Sequence, residues 1–233
     1  MTPAAALQRF FATLSFLVAF AMFVSPAVAL DEGLSEYVVK RNGEPIGTLK
    51  INLKKNGERL IATSDYSIKV KLLAIVLYRY DKKMVEIYEN GRLVAYETNI
   101  DDNGTKSRVT VARAGEKLSI TSPKGSLTVP NGLIPTTYWP PKTVTQRQMI
   151  GSSDGILVNV SPSTPVSEDL KMDGRTLKTN RYEMTGDLKR DLWYDAGTGH
   201  WLKMKLIASD DSVIEIERDW PVSYTHLTLP TKA

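Results

Sequence analysis

The chain has 233 residues, with 30 lysines and arginines against 26 aspartates and glutamates, two histidines and no cysteine. The lack of cysteine excludes a disulfide framework, a thiolate metal site and a cysteine nucleophile, so stability must come from a hydrophobic core. Charges of both signs are interspersed and the net charge is only +4, unlike the one-sided basic surface of a nucleic-acid-binding protein. We therefore expect no nucleic-acid partner.

The N-terminus has the pattern of a secretory signal peptide. Arg9 precedes an uncharged run from Phe10 to Val24, and the small-residue sequence AVA follows at residues 27–29. An apolar run of about 15 residues is short for a bilayer span, which needs about 20, and the small residues suit signal peptidase. We expect residues 1–29 to be cleaved, leaving a periplasmic or secreted protein without a stable membrane anchor. An uncleaved anchor is the alternative.

Asn-Gly pairs divide the next part of the chain. They lie at Asn42-Gly43, Asn56-Gly57, Asn90-Gly91, Asn103-Gly104 and Asn131-Gly132. Asn and Gly tolerate the positive φ angles of a type I′ turn, so the first four pairs predict hairpins. The segments between them alternate and are rich in Val, Ile, Thr and Tyr, which predicts antiparallel strands. They read SEYVVKR, IGTLKINLKK, ERLIATSDYSIKV, AIVLYRYDKKMVEIYE, RLVAYETNI and KSRVTVARA.

Two of these segments differ in their facial pattern. In IGTLKINLKK the apolar residues Leu49, Ile51 and Leu53 share one face, which predicts that only this face packs on the core. The segment from Leu72 to Tyr80 is apolar on both faces. One face carries Leu73, Ile75 and Leu77, and the other carries Ala74, Val76, Tyr78 and Tyr80. This pattern predicts that both faces of the sheet are covered at this strand.

The middle of the chain, residues 130–174, is the least regular part. Its prolines are Pro130, Pro135, Pro140, Pro141, Pro162 and Pro165. Prolines interrupt strand ladders, and two short helices are predicted instead, one in KTVTQRQMI and one that begins at SEDLK with Ser167 as N-cap. Strand-like segments return after Gly174, as TLKTNRYEMTG, KRDLWYDA, HWLKMKLIAS and SVIEIERDW.

Together these elements predict a mainly β protein with one domain, residues 30–221. A sheet of about ten strands must curl or split. We therefore expect a single strongly curved antiparallel sheet or a partly open barrel with one or two short helices. The Pro-rich segment 130–174 is predicted to fill or cover its concave side.

Few residues suit catalysis or metal binding. His200 follows a Gly-rich turn, where we expect it to be exposed, and it lacks the partners of a serine triad or a zinc site. Glu86 lies between Val85 and Ile87, where burial would raise its pKa and make it a candidate general acid. A hydrolase with paired carboxylates would combine it with one of Asp187, Asp191, Asp195, Glu215 and Glu217. We expect no metal, no cofactor and a non-catalytic protein.

The aromatic residues are the candidates for lining a ligand site. They are Tyr78, Tyr80, Tyr138, Trp139, Trp193, Tyr194 and Trp201. They suit a concave surface for an apolar or sugar ligand, although aromatic residues in a small β domain more often pack in the core. Trp201 alternates with Leu202 and is predicted to share the outward face with Lys203, where it would contact a partner or form a cation–π pair with that lysine.

Several strings together resemble a known family. YVVKRNGEPIGT, YRYDKKMVEIYENGRLVAYETNIDDNG, TTYW and GDLKRDLWYD resemble a family of exported proteobacterial proteins of unknown function, over the mature chain to Trp220. That family is similar to another set of uncharacterised periplasmic β-rich proteins, and both look remotely like the half-barrel of periplasmic lipoprotein carriers. The resemblance implies a fold and transfers no functional residues.

Three functions fit these features. The first is a periplasmic module that binds an apolar or amphipathic ligand, such as a lipid, in the concavity of its sheet. The second is a secreted hydrolase that uses paired carboxylates. The third is a structural envelope protein whose outer faces bind other proteins. We favour the first because of the aromatic clusters, the two-sided apolar segment and the Pro-rich cover.

The final segment, VSYTHLTLPTKA, is unlike the charged strands before it. One frame of a widely used transposase-based sequencing adapter, GTCTCTTATACACATCTGACGCTGCCGACG, translates to VSYTHLTLPT, which is identical to residues 222–231. We expect residues 222–233 to be adapter sequence translated as protein and the native sequence after Pro221 to be missing. His226 is then no catalytic candidate. Encoding DNA that differs from the adapter would contradict this interpretation.

Overall fold

The structure, a computed structural model, describes residues 32–73 and 75–220. The predicted signal peptide and the predicted adapter segment, residues 222–233, both lie outside the described residues. Within the described ranges, no helix combines the length and the hydropathy that a bilayer span requires.

Strands make up most of the described chain. They are β1 Gly33–Arg41, β2 Glu44–Asn56, β3 Arg59–Leu72, β4 Ile75–Glu89, β5 Arg92–Asp102, β6 Thr105–Ala114, β7 Lys117–Ser122, β8 Gly125–Pro130, β9 Gln148–Ile150, β10 Leu157–Pro162, β11 Val166–Met172, β12 Arg175–Gly186, β13 Arg190–Asp195, β14 Trp201–Ile207 and β15 Val213–Asp219. A short 3-10 helix, Pro141–Thr145, precedes β9.

All of these strands belong to one antiparallel sheet. The order runs from β8 back to β1, then through β15, β14, β13, β12 and β10 to β9, while β11 pairs with β12 beside this path. A sheet of this size curls, and residues from almost every strand meet in one hydrophobic core. The sheet does not close, because β8 and β9 remain its edges. The predicted open, curved sheet is confirmed, with fifteen strands in place of about ten.

The first four Asn-Gly pairs form hairpin turns, as predicted. Asn42, Asn90 and Asn103 have φ angles of 51°, 51° and 49°, and a glycine with positive φ follows each of them, as in a type I′ turn. The pair at residues 56–57 differs, because only Gly57 has positive φ and the turn is formed by Gly57 and Glu58.

The concave side of the sheet is filled by residues 131–156, here called the plug, a mostly irregular segment that includes the short edge strand β9. Ile134, Tyr138, Trp139, Met149 and Ile150 of the plug join the core that the strands form. On the sheet side, Ile51 and Leu53 of β2 are buried as their alternation predicts. The predicted role of the Pro-rich segment as a filler of the concave side is therefore confirmed for this part of it.

The helix predictions were largely wrong. KTVTQRQMI forms only part of the 3-10 helix and then β9. SEDLK lies in β11, where it pairs with β12 through a hairpin whose turn residues Asp173 and Gly174 have positive φ. Ser167 is therefore a strand residue opposite Asn180 and caps no helix. The ladder to β12 stabilises the extended conformation, which outweighs the weak local signal for a helix.

The segment from Leu72 to Tyr80 is not covered on both faces, and that prediction was wrong. Leu73 is 94% exposed, Ile75 66% and Leu77 56%. The reason is geometric, because β3 and β4 extend beyond their neighbours in the sheet. Pairing of β3 with β2 stops at Ile68, and pairing of β4 with β5 starts only at Tyr80.

Trp201 faces the interior, so its predicted outward position was also wrong. The register between β13 and β14 shifts after Trp193, which pairs with Lys203, whereas Tyr194 pairs with Trp201. Leu202 is thus an extra residue, and such a β-bulge reverses the alternation of faces along a strand. Trp201 is 2% exposed and stacks on Tyr37, with 4.6 Å between the ring centroids.

Gly47 marks a close approach between β2 and β3, which leads to a first prediction. A Cβ at Gly47 would lie 2.1 Å from the backbone oxygen of Ser67. We expect Gly47→Ala to lower the free energy of unfolding by about 1–3 kcal/mol, because overpacking forces the backbone to move. Urea denaturation measures this change.

The matched control is Gly197→Ala. A Cβ at Gly197 would meet only the Asp195 side chain, at 3.4 Å. We expect this variant to unfold within about 0.5 kcal/mol of the wild type. Equal stability of the two variants would contradict the importance of the close approach at Gly47.

Candidate functional site

A cleft of about 290 Å³ lies between the plug and the wall of the curved sheet, and it is open to solvent on one side. One part of its lining is apolar and comes from β2, β14 and β15. These residues are Leu49, Ile51, Met204, Leu206, Ile214 and Ile216. The rest of the lining includes two cations, Lys82 and Arg190, and hydroxyl groups of the plug. We call this cleft the cavity.

Lys82 reaches the cavity from β4, on the inward face that it shares with Met84 and Glu86. Its ammonium group donates a hydrogen bond to Oγ of Ser152 in the plug, at 3.0 Å. Two hydrogen bonds join Ser152 to Thr136. The Thr136 hydroxyl donates to Oγ of Ser152 at 3.1 Å, and the Ser152 amide donates to Oγ1 of Thr136 at 2.9 Å. Burial lowers the pKa of Lys82 to about 8, against the opposing effect of the Glu86 charge.

Glu86 is 1% exposed and joins the sheet to the plug. Its carboxyl group accepts hydrogen bonds from Tyr88 at 2.6 Å, from Nε1 of Trp139 at 2.9 Å and from Thr137 at 3.2 Å. Burial raises the pKa of Glu86, and these three donors and Lys82 only oppose that effect. A carboxyl group that is satisfied by three donors is suited to anchoring the plug.

The predicted pairing of Glu86 with a C-terminal acid is not found. Asp191 pairs with Arg181 at 3.1 Å, and Glu215 and Glu217 pair with Lys203 at 2.8 and 2.6 Å. The other two acids accept backbone hydrogen bonds, Asp187 from Asn159 and Asp195 from its own turn. None of the five is among the charged groups that shift the pKa of Glu86. Among residues 32–73 and 75–220, no group of three or more metal-ligating side chains comes together.

Arg190 is the second cation of the cavity. It donates a hydrogen bond to the Tyr138 hydroxyl, and its guanidinium carbon lies 5.0 Å from the centroid of that ring. Its Nε atom is buried and has no hydrogen-bond partner within the described part of the chain. Leaving a buried donor without a partner is costly. The Nε–H group of Arg190 is therefore available for a hydrogen bond in addition to the one that the guanidinium group donates to Tyr138.

Three of the seven aromatic candidates line the cavity, namely Tyr138, Trp139 and Trp201. Tyr80 lies next to it, with 3.3 Å between its hydroxyl and Oγ of Ser153, a residue of the cavity wall. The structure thus brings these four residues to the cavity or its margin. Contact of any of them with a ligand stays a prediction.

The other three aromatic candidates lie elsewhere. Tyr194 is in the core, where its hydroxyl donates to the carbonyl of Tyr138 at 2.7 Å. Trp193 is on the outer face of the sheet, beneath Lys203 and bonded to Glu168 at 2.5 Å. Tyr78 is on the exposed extension of β4. Being aromatic and close in sequence to Tyr80 or to a cavity residue therefore does not place a side chain in the cavity.

Sequence reasoning missed the polar residues of the cavity. Lys82 alternates with Met84 and Glu86 on one face of β4, and this pattern alone places a lysine on the core side. No such signal marks Thr136 or Ser152, because they lie in irregular backbone. His200, expected to be exposed, is half-buried at a smaller cleft beside Tyr37 and Trp201.

Comparisons with known proteins agree with this architecture. A solved structure described as a beta-barrel-like protein of domain of unknown function DUF1849, from Brucella abortus, has a TM-score of 0.53 at 9% identity, covering 81% of this chain and 97% of that one. At this identity the likeness shows the fold alone. No curated protein matches the sequence.

The family comparison supports the predicted membership of a β-rich family of unknown function. The model that matches is described as "Domain of unknown function (DUF6134)", and the match covers residues 37–219. Export and similarity to lipoprotein carriers stay predictions. Because the match spans most of the chain, the protein belongs to the DUF6134 family.

Proposed function

We propose that the protein binds a small amphipathic ligand, with one apolar chain and an anionic head group, in the cavity. The observation that carries this proposal is the chemical division of the cavity wall. Apolar residues of β2, β14 and β15 form one part, and Lys82, Arg190 and hydroxyl groups of the plug form the other. A largely apolar concave site with a few convergent polar groups is typical of ligand pockets.

Each part of the wall has a physical role in this proposal. Transfer of an apolar chain to the wall of β14 and β15 is favourable by about 25 cal/mol for each Å² that leaves water. An acidic head group would accept charge-assisted hydrogen bonds, which are stronger than those between neutral groups. The volume of about 290 Å³ is at the small end of ligand pockets, which favours a single chain over a larger lipid.

The location belongs to the same proposal. The predicted signal peptide supports binding in the periplasm or outside the cell, where apolar and amphipathic molecules need a protein to shelter them from water.

A dansyl-labelled fatty acid and its methyl ester test this proposal by fluorescence titration. We expect the acid to bind saturably and Lys82→Met to weaken its binding by roughly tenfold or more, because a hydrogen bond to a charged group is lost. Binding of the acid should also weaken as the pH rises through about 8, where Lys82 loses its charge. The ester should bind equally to the wild type and to Lys82→Met.

Lys83→Met is the matched control. Lys83 follows Lys82 in β4 but points outward, and 81% of its side chain is exposed. This variant should bind the acid as the wild type does. Absence of saturable binding, or equal weakening by the two substitutions, would refute the proposed role of the cavity.

A further inference from the structure

The end of the β3–β4 hairpin projects beyond the rest of the sheet, and we call its described residues, 69–73 and 75–79, the arm. Within the arm, Lys69 pairs with Arg79 and Val70 with Tyr78. Neither strand of the arm has a partner in β2 or β5, where pairing ends at Ile68 and begins at Tyr80. The arm is therefore a two-stranded extension that the core does not support.

The tip of the arm is apolar and exposed. The exposed fractions are 94% for Leu73, 66% for Ile75, 50% for Val76, 56% for Leu77 and 37% for Tyr78. Leu73 is in the turn and the other four occupy the first four positions of β4, so all five lie at one end of the hairpin. Exposed apolar residues gathered at one place mark an interaction site.

The backbone conformation of Leu73 also indicates that the apolar tip is not there to stabilise the fold. Leu73 has a φ of 55°, in the left-handed region that disfavours leucine. In residues 32–73 and 75–220, the other non-glycine residues with positive φ are all Asn or Asp. They are Asn42, Asn90, Asn103, Asp173 and Asp211. A turn that uses leucine where the rest of the described chain uses Asn or Asp presents an apolar side chain at a conformational cost.

Basic residues flank the apolar tip. Lys69, Lys71 and Arg79 are the charged residues between Ser67 and Tyr80, and that stretch holds no acid. Arg79 also pairs with Asp81 at the base of the arm. Tyr66 and Tyr80 meet edge to face at this base, with 5.9 Å between their centroids. Apolar residues beyond basic and tyrosine side chains are the arrangement of segments that sit in a membrane interface.

The dimensions of the arm fit shallow insertion. Leu73 lies two residues beyond Lys71, which corresponds to about 7 Å along a strand. Interfacial segments bury their apolar side chains about 5–10 Å into the boundary between headgroups and acyl chains. At this depth the tip reaches acyl chains while the basic residues stay level with lipid phosphates. The unpaired backbone groups of the arm then remain in the hydrated headgroup layer, which a deeper insertion would not allow.

We propose that the arm docks the protein on bilayers that contain anionic lipids. Leu73 and Ile75 enter the boundary with the acyl chains. Leu77 lies in the headgroup layer at about the level of Lys71, and Lys69 and Lys71 lie against lipid phosphates. A lipid surface suits the arm better than a protein partner does. Lipids can surround apolar residues that lie on both faces, and lipid phosphates can bind the flanking lysines. This proposal does not depend on ligand binding in the cavity.

Vesicle flotation tests the proposal. We expect the protein to float with phosphatidylcholine–phosphatidylglycerol vesicles and to bind pure phosphatidylcholine vesicles much more weakly. The triple substitution Leu73→Asn, Ile75→Ser and Leu77→Ser should lower binding at least about tenfold, because the inserted apolar area is lost. Lys69→Gln with Lys71→Gln should lower binding roughly tenfold on anionic vesicles, and high salt should mimic this effect.

Two controls separate docking from loss of fold. Leu127→Ser with Val166→Ser removes apolar residues that are exposed elsewhere, at 43% and 48%, and should leave binding unchanged. Leu73→Asn alone should keep or raise the unfolding temperature while it weakens binding, because Asn tolerates positive φ. Wild-type binding by the arm variants would overturn the proposal. So would a wild-type dimer that the arm variants dissociate in the absence of vesicle binding, because a second copy would then cover the tip.

Discussion

Replacing Trp139 by alanine is expected to lower the free energy of unfolding by about 3–5 kcal/mol, the cost of removing a buried tryptophan. Trp139 is 5% exposed and packs edge to face on Tyr88, with 5.7 Å between the ring centroids. It also donates the hydrogen bond from Nε1 to the carboxyl group of Glu86. The substitution therefore leaves an empty space in the core and removes one hydrogen-bond donor from the buried carboxyl group of Glu86. Denaturant titration followed by circular dichroism measures the change.

Two further variants define the origin of this effect. Trp139→Phe keeps most of the packing and loses the donor, so we expect a loss of about 1–3 kcal/mol. Val85→Thr, on the exposed outer face of β4, is the control and should stay within about 0.5 kcal/mol of the wild type. A Trp139→Ala protein as stable as this control would show that Trp139 does not anchor the plug.

The stability difference between the wild type and Glu86→Gln is expected to depend on pH. Burial raises the pKa of Glu86 above its ordinary value of 4.5, so the folded protein holds this proton at pH values where the unfolded chain has released it. The free energy of unfolding then falls as the pH rises, by up to about 1.4 kcal/mol per pH unit. The fall begins near 4.5 and ends at the raised pKa of the folded state.

Glu86→Gln removes this titration while it keeps the shape of the side chain. Subtracting its unfolding free energy from that of the wild type cancels the other carboxyl groups, which titrate alike in both proteins. The difference in the free energy of unfolding, wild type minus variant, should be largest at low pH and should decrease as the pH rises. Unfolding measured across this range of pH gives the comparison.

Glu97→Gln provides a control of opposite sign. Hydrogen bonds from Asn99 and Arg108 lower the pKa of Glu97, which is exposed on β5. Its contribution is present above the ordinary pKa of 4.5 and is lost as the pH falls. A difference for Glu86→Gln that does not change with pH would refute a raised pKa at that residue.

The two predictions concern one structural unit, the contact between β4 and the plug. Lys82 and Glu86 share a face of β4, and each bonds to the plug, Lys82 through Ser152 and Glu86 through Trp139. Lys82 also lines the cavity, whereas Glu86 is enclosed. The same strand thus holds the plug in place and supplies one cation of the proposed ligand site.

Local patterns in the sequence predicted much of the sheet. Asn-Gly pairs define a turn through the φ angles that only a few residues tolerate, so Asn42, Asn90 and Asn103 could be assigned without any knowledge of the fold. Alternation likewise predicted the buried face of β2. Both patterns depend only on residues a few positions apart, which is why the structure agrees with the predictions made from them.

The same kind of reasoning failed where a distant strand decides the outcome. The apolar faces of residues 72–80 predicted burial, but β3 and β4 run past the ends of β2 and β5 here, beyond the part of the sheet that packs on the core. The predicted outward direction of the Trp201 side chain was wrong because a single extra residue, Leu202, shifts the register with β13. Neither the length of a neighbouring strand nor a bulge leaves a clear local pattern.

The candidate site was predicted in outline only. An aromatic concavity was expected, and Tyr138, Trp139 and Trp201 do line one. The cations that give this cavity its chemistry were not singled out, because Lys82 and Arg190 resemble the many charged residues that face solvent. Their positions depend on which strands curl toward the plug.

The sequence by itself determined a mainly β chain without cysteine, the hairpin turns and the antiparallel order of neighbouring strands, because short-range sterics and alternation dictate these features. Only the tertiary structure decided that β1 pairs with β15, that residues 131–156 fill the concave side, and that Lys82 meets Ser152 there. It also decided that the arm projects uncovered. These outcomes depend on strand lengths and on contacts between residues far apart in the chain, which no local pattern encodes.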